Sequence, residues 1–437
     1  MSTRRTFVRN TAIMTAGLGL APSISGRIIG SPPSDRINVG VIGCNGQGFS
    51  DLRAFLENPQ VECIALCDID ESVLNARAAA VEKIRGKKPA NLYGDWRRLI
   101  DNKDINLVIV GTPDHWHCLQ MIAACEAGKD VFCEKPLGNT IEECNLMVKA
   151  AQKYNTVVQV GQWQRSDPHW LDAVDYIRSG KLGKIRLVRV FSYQGWCPSI
   201  PVKPDEPVPA GVDYDMWLGP ATKRPFNRNR FHFTFRWFWD YAGGLMTDWG
   251  VHLLDFALFG MNVTAPKSIM AMGGKYGYPD DACETPDTLQ TLYEFDGFNI
   301  FWDHAIGIDD GAYGRNHGLG FVGENGTLVV DRNGWEVLPE VVNRKARMEA
   351  VPLSKGTGQG LRNHVKNHLD CIASRNRNTN ASVETAAHIA KFSHLGNIAY
   401  RTGKKLVWNG TRFTNDTDAN RYLTPTYRAP WKLPLVT

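Results

Sequence analysis

The sequence predicts an α/β chain of two domains: an N-terminal doubly wound parallel sheet, then a C-terminal α+β domain with a large open sheet of mixed or antiparallel strands. Three observations carry that prediction. Short β-branched runs with no polar face alternate with amphipathic helical stretches up to about residue 160, the pattern of strands covered by helices on both faces. The first run ends in a glycine-rich turn, "VGVIGCNGQG" (39–48), and the second ends in acids. From about residue 184 the strands change to apolar–polar alternation, which marks a sheet with two unlike faces. A length of 437 residues also makes two domains the starting expectation.

In chain order, "INVGVI" (37–42), "VECIALCDID" (61–70), "INLVIVGTP" (105–113), "DVFCEKP" (130–136) and "TVVQVGQ" (156–162) read as strands. Helical patterns fill 49–57, 71–85, 116–127 and 140–154, so the first domain is expected over 36–160. The second, 161–355, has strands at "KIRLVRVFSY", "SIMAMGGKY", "DTLQTLYEF", "FNIFWDHAI" and "GTLVVDR", with helices at 168–179 and 244–260. The stretch 197–230 is rich in Pro, Asp and Arg and reads as a long loop of the functional kind. Helices at 359–374 and 382–402 form a unit, 356–405, expected to pack back on the first domain, and 406–437 reads as an irregular tail.

Hydrophobic content of 43% and charged content of 22% are ordinary for a soluble globular chain. The net charge is +5, and three of the 50 basic residues (Arg4, Arg5 and Arg9) lie in the acid-free first 25 positions. The remainder is nearly balanced, so no nucleic-acid partner is expected. No segment reaches the ~18 uninterrupted apolar residues of a membrane span. Seven of the ten cysteines precede residue 150, inside apolar runs and without a C-x-x-C, which predicts buried thiols and not a disulfide framework. Residues 1–25 show a twin arginine, an apolar run and small residues in that order, the shape of a twin-arginine export signal, the alternative being a disordered basic N-terminus.

The turn at 39–48 follows a strand and opens a helix, the place of the dinucleotide fingerprint G-x-G-x-x-G. Gly43 and Gly48 match its first and third glycines, Asn45 stands at the second, and Gly46 and Gln47 complete the turn. Asp68 ends the second strand, where an acid bonds the ribose 2′-hydroxyl and repels a 2′-phosphate, favouring NAD over NADP. The alternative is a structural tight turn. "GTPDHWHCLQ" (111–120) closes the third strand beside the crevice at the carboxyl ends of the strands, so Thr112, Pro113, His115 and His117 are expected to line the nicotinamide side. The two histidines lack a third ligand at matching spacing, and no metal is expected. "CEKPLG" (133–138) closes the fourth strand and brings Glu134 and Lys135 to the crevice mouth. Lys135 either pairs with Glu134 or donates to a substrate oxygen. "GGLMTDWGVHLLD" (243–255) spaces Asp248, His252 and Asp255 by four and three, one face of a helix that is either solvated or aimed at something that reacts.

In this order the fingerprint, "TPDHWH", "EKP" and "GGLMTDWGVHLLD" resemble the Gfo/Idh/MocA family, the glucose–fructose oxidoreductase and inositol dehydrogenase-like enzymes, over about residues 36–405. The resemblance implies a Rossmann domain holding NAD and a catalytic set of Lys135, Asp248 and His252. In those roles His252 takes the O–H proton, Lys135 holds the alcohol oxygen and stabilises the developing alkoxide, and Asp248 orients substrate or His252. It places "VGQWQRSDP" (160–168) at the domain junction, with Gln162 reaching the cofactor and Gln164 and Arg165 the substrate. Trp249, next to the aromatic-rich "RWFWDYAGG" (236–244), offers a flat face to a sugar ring or packs in the core. A homo-oligomer formed through the C-terminal sheet is also implied.

The expected function is therefore an NAD(H)-dependent oxidoreductase of CH–OH groups in a sugar, glycoside or inositol, a glycoside 3-dehydrogenase being one form. Two alternatives stand beside it: a redox glycoside hydrolase working by oxidation, elimination and reduction, and a non-catalytic sugar- or nucleotide-binding protein, which Asn45 favours. The export signal adds a constraint. Machinery for folded proteins would deliver the chain to the periplasm, where no nicotinamide pool recycles a cofactor. NAD is then expected to be loaded before export, bound tightly and restored by a second half-reaction.

Overall fold

The computed structural model describes residues 36–436, so the expected export signal lies outside the described residues. The first sheet is built from β1 (Ile37–Ile42), α1 (Gln47–Leu56), β2 (Val61–Cys67), α2 (Glu71–Arg85), β3 (Asn91–Tyr93), α3 (Trp96–Asp101), β4 (Leu107–Val110), α4 (Asp114–Glu126), β5 (Asp130–Cys133), α5 (Ile141–Lys153) and β6 (Val158–Val160). Its six parallel strands run β3-β2-β1-β4-β5-β6. This is the Rossmann order, with its topological switch between β1 and β4, where a crevice opens at the carboxyl ends. The register puts Ile42 beside Val110, and Cys133 beside both Val110 and Val160. The segments after β1, β4, β5 and β6 therefore leave the sheet side by side, and these carry the glycine turn, Thr112, Lys135 and Gln162. β1, β4 and β5 are almost wholly buried, as helices on both faces require.

β3 and α3 were not among the expected elements. A three-residue edge strand has no room for periodicity, and "NLY" offers only alternating partial exposure. Helix starts follow their caps: Asp70 accepts from Ser72 and Val73 backbone N–H at α2, Asp95 from Arg97 at α3, and Thr140 from Glu143 at α5.

The remaining chain forms α6 (Pro168–Arg178), β7 (Leu187–Gln194), α7 (Tyr214–Leu218), α8 (Gly244–Asp248), α9 (Gly250–Met261), β8 (Ser268–Gly274), β9 (Thr288–Glu294), β10 (Asn299–Ile306), β11 (His317–Val322), β12 (Gly326–Asp331), β13 (Gly334–Pro339), the short pair β14 (Val341–Val342) and β15 (Lys345–Ala346), β16 (Val351–Lys355), α10 (Gly360–Ser374), α11 (Val383–Thr402) and β17 (Leu406–Val407). Nine of these strands make one mixed sheet, β16-β13-β12-β11-β7-β10-β9-β8-β17, in which β7 and β10 run parallel and the other pairs are antiparallel. Val188, Val190, Ile300, Trp302 and Leu319 pack from the sheet against Trp170 of α6 and Phe256 of α9. The sequence did not yield β11, β13 or β16. "HGLGFV" shows why: its two glycines interrupt the pattern, and five of its six residues are buried, so no alternation is visible.

The helix expected at 244–260 is broken. α8 ends at Asp248, Trp249 is the joint, and α9 begins at Gly250. Asp248 and His252 therefore sit on two helical segments, not on the face of one. α10 meets the first sheet, where Gln159 donates to His364 O (2.5 Å) and the His364 ring reaches Val160 O (2.9 Å). The tail has little regular structure but is pinned. Trp431 packs on Trp96 and Trp116, and the Tyr427 hydroxyl donates to Glu143. All ten cysteines are free thiols, nine of them buried. No helix among the described residues is long and apolar enough to cross a membrane.

Candidate active site

A cleft of about 450 Å³ runs from the glycine turn to Asp248. Its floor is the close contact of β1 and β4. Gly43 has φ +81°, and a Cβ there would lie 2.7 Å from Thr112 N, so backbone approach demands glycine. A Cβ on Gly48 would overlap the carbonyl oxygen of Gly43. Gly46 differs: at φ +50° its Cβ would meet nothing within 4 Å, and it borders open space. The glycine that lets a ligand come close to the turn is therefore Gly46. Asn45 also lines the cleft, its Oδ1 accepting from Gly46 N and from Arg77. Gln47 lines the cleft and donates to Asp51.

Asp68 lines the cleft at the end of β2. Its two oxygens accept from Cys44 N (2.8 Å) and Asp70 N (3.1 Å), which fixes the carboxylate and leaves lone pairs for hydroxyl donors. The turn, the open glycine and this carboxylate suit a dinucleotide, with pyrophosphate at the N-terminus of α1 and a ribose at Asp68.

Thr112, Pro113, Glu134 and Lys135 line the same cleft, whereas His115 and His117 lie behind its wall. The His117 ring spans Pro136 O (2.8 Å) and Thr112 O (2.9 Å), tying the segments after β4 and β5 together. His115 contacts Trp217 O and packs against Tyr241. Carbonyl oxygens take both ring nitrogens of the buried His117 but only Nε2 of His115, whose Nδ1 has no partner.

At the far end Lys135 Nζ donates to Asp248 Oδ1 (2.7 Å) and to Asp248 O (2.9 Å). Arg236 Nε approaches the same Oδ1 at 3.3 Å. Burial alone would push the Asp248 carboxyl up, but Lys135 and Arg236 outweigh it and hold the group far below the usual carboxylate range. His252 is buried between the rings of Trp163 and Trp249, and its Nδ1 has no partner. Burial, then the charges of Lys135 and Arg332, push its pKa well down, so the imidazole is neutral near pH 7. Lys135 is committed to Asp248 across the cleft. The alternative ion pair with Glu134 does not form; Glu134 instead accepts from Lys135 N.

Asp255 does not join this set. Arg165 grips it with Nε at 2.8 and 2.9 Å and Nη2 at 2.6 Å. That buried pair braces α9 against the segment after β6, and it removes Arg165 from the expected substrate contacts. Gln162 donates to Val251 O (3.2 Å) and does not line the cleft, contrary to its expected cofactor contact. Gln164 faces His252 O and Arg332.

The sequence reading missed Asp114, Arg236 and Arg332. Asp114 opens α4 and lines the cleft; burial pushes it up to about 8 despite Arg236 and Lys135, so it is a neutral acid at pH 7. Its signal is the acid of "TPDHWH", the first residue of the helix that follows the strand. Arg236 lay inside a stretch read for its aromatics. Arg332 follows β12 and had no local signal at all.

Two family models match the chain: the oxidoreductase family's NAD-binding Rossmann fold over residues 37–162, and its C-terminal alpha/beta domain over residues 189–433. Among curated relatives, a "Glycosyl hydrolase family 109 protein 1" of Shewanella sp. (strain ANA-3) and an "Alpha-N-acetylgalactosaminidase" of Shewanella oneidensis are each 29% identical over 201 residues. That match spans 42% of this chain and 44% of each relative. Among solved structures, levoglucosan dehydrogenase in complex with NADH and levoglucosan superposes with a TM-score of 0.63 at 21% identity, covering 85% of this chain and 99% of that one. Aldose-aldose oxidoreductase from Caulobacter crescentus gives 0.61 at 19% identity, covering 85% and 100%. At these identities the structures establish a shared fold.

Proposed function

The chain belongs to the Gfo/Idh/MocA oxidoreductase family, and from that premise we propose that it is an NAD(H)-dependent carbohydrate oxidoreductase acting on a CH–OH group of a sugar, glycoside or inositol. The observation that carries the proposal is the Lys135–Asp248 pair, 2.7 Å long, at the end of a cleft that begins at the glycine turn, with the neutral His252 buried behind that lining and within electrostatic reach of both partners. The turn at Gly43–Gly48 and Asp68 would hold the dinucleotide, and the fixed Asp68 carboxylate favours NAD over NADP. When bound, the nicotinamide supplies the hydride acceptor.

The chain's own residues manage the proton and the charge. Lys135 spends two of its N–H groups on Asp248, and the third is available to the reacting hydroxyl oxygen. As the O–H proton leaves, that ammonium stabilises the alkoxide. His252 is neutral and takes the proton. Asp248, kept ionised, fixes Lys135 and balances its charge. Asp114 adds a pH dependence. It is protonated below about pH 8, and its ionisation would place a second negative charge beside Asp248. Turnover is expected to fall as pH rises through about 8. Asp114→Asn should remove that high-pH limb and keep the neutral-pH rate within ~3-fold, read from kcat/KM against pH.

The family 109 names among the relatives favour a second reading, a redox glycosidase in which oxidation is transient. Product analysis on an aryl glycoside separates the two. A keto-glycoside with the glycosidic bond intact supports the dehydrogenase. Released aglycone with no net oxidation supports the glycosidase, and neither product would reject both. The proposal extends to delivery to the periplasm by the folded-protein route with NAD tightly bound. It also includes pairing of chains through the open sheet, where Met270 and Met272 of β8 are exposed.

A further inference from the structure

Two cations and one firmly ionised carboxylate line the reacting end of the cleft, and a third cation lies close behind them, within electrostatic reach of Asp248 and His252. Lys135 and Arg236 both spend their charge on Asp248. The third cation, Arg332, comes from the second sheet. Its guanidinium lies 4.4 Å over the Trp249 ring and 4.9 Å over the Trp163 ring, the two indoles that flank His252. Its hydrogen-bond acceptor is a neutral amide: Gln164 Oε1 takes Nε at 3.3 Å and Nη2 at 3.2 Å. The acids nearest in sequence are already used, since Arg315 pairs with Asp331 and Glu336. Among the described residues Arg332 has no carboxylate partner within ion-pair distance.

Among the described residues the ionised carboxylate whose charge reaches it is Asp248, which lies beyond ion-pair distance and is already shared by Lys135 and Arg236; the other titratable neighbours are uncharged. Burial pushes His317 down to about 4 and Asp114 up to about 8, and His252 is neutral. Burial brings Arg332 itself down only to about 10, so it stays charged. Holding a desolvated guanidinium between two indoles, with one amide and a carboxylate already shared by two other cations to offset it, is costly, and an anionic ligand would offset that cost. The guanidinium fork matches two oxygens of a carboxylate or of a tetrahedral oxyanion, and Gln164 leaves part of that fork uncommitted.

We propose that the sugar taken by this site carries an anionic group, a carboxylate or a sulfate ester, and that Arg332 receives it beside His252. This rests on the oxidoreductase reading above and names its substrate class. No covalent step involves Arg332; it binds the anion and so fixes which hydroxyl faces Lys135 and His252.

The test is calorimetric titration of D-glucuronate, D-glucose 6-sulfate and D-glucose into the protein as purified with its nucleotide, in parallel with reduced-nicotinamide absorbance. At least one anion is expected to bind ~10-fold or more tighter than glucose, and Arg332→Gln should cost that anion ~10-fold or more in affinity. Glucose should lose less, and Arg332→Lys should recover part of the loss. Retained nucleotide and an unchanged circular dichroism spectrum would report an intact fold in each variant. Arg332-dependent binding of glucuronate identifies a uronic acid, and of the sulfate a sulfated sugar; both support the proposal. Glucose binding as tightly as both anions overturns it, as does an equal loss for all three in Arg332→Gln. If glucose then still changes the nicotinamide absorbance, the oxidoreductase reading stands without the anion. Failure of all three to bind also overturns the anion proposal, whatever the nicotinamide does with other sugars.

Discussion

Lys135→Ala is expected to lower the rate of hydride transfer by ~10³-fold or more while leaving nucleotide bound. Two losses combine. The alkoxide loses its ammonium donor, and among the described residues Asp248 keeps Arg236, at 3.3 Å, as its remaining ion-pair partner. The second loss raises the Asp248 pKa, because burial opposes its charge and Lys135 is the first of the groups that counter it. Lys135→Arg is expected to rescue little, since a planar guanidinium cannot repeat the two short contacts to Asp248 Oδ1 and O. The measurement is single-turnover absorbance of the bound nicotinamide after mixing with sugar, with released nucleotide quantified to show an intact cofactor site. A variant with wild-type rate would remove Lys135 from the chemistry.

The second large effect is at His252. His252→Ala should lower the single-turnover rate by ~10²–10⁴-fold, the usual contribution of a positioned general base. Its pH signature follows from the direction of its shift. Burial, Lys135 and Arg332 depress the pKa well below 6.5, so the protonated and inactive form appears only in acid well below that value. The wild-type rate should therefore hold level as pH falls through 6.5 and drop only further down. The residual rate of His252→Ala should lack that acid limb. A wild-type profile that breaks near 6.5 would contradict the buried, cation-flanked setting of this imidazole.

The first sheet was legible because its chemistry is linear. A strand, a glycine turn and an acid follow each other in one βαβ unit, and the register that brings Thr112, Lys135 and Gln162 together needs only parallel order. Within the turn the reading placed Asn45 at the second fingerprint position with Gly46 following; both line the cleft, and the open space lies over Gly46. The catalytic candidates were found by motif order, but their geometry was not. A helix break at Trp249 separates Asp248 from His252, and the i, i+3 partner Asp255 is taken by Arg165 from 90 positions away. Arg236 and Arg332 were invisible for the same reason: they reach the site through loop and sheet contacts that have no period. β11, buried on both faces and glycine-rich, lacked the alternation that marks its neighbours.

The most direct measurement of the central claim uses the protein as purified, with no nucleotide added. A portion is denatured and the released nucleotide identified, and the rest is mixed with glycosides, hexoses, inositols and uronic acids while reduced-nicotinamide absorbance is recorded. Released NAD(H), with a redox change confined to one sugar class and lost in Lys135→Ala, is the expected result. No nucleotide in the denatured protein, together with indifference of the native protein to added NAD and every sugar, would contradict it and leave a binding protein in place of an enzyme.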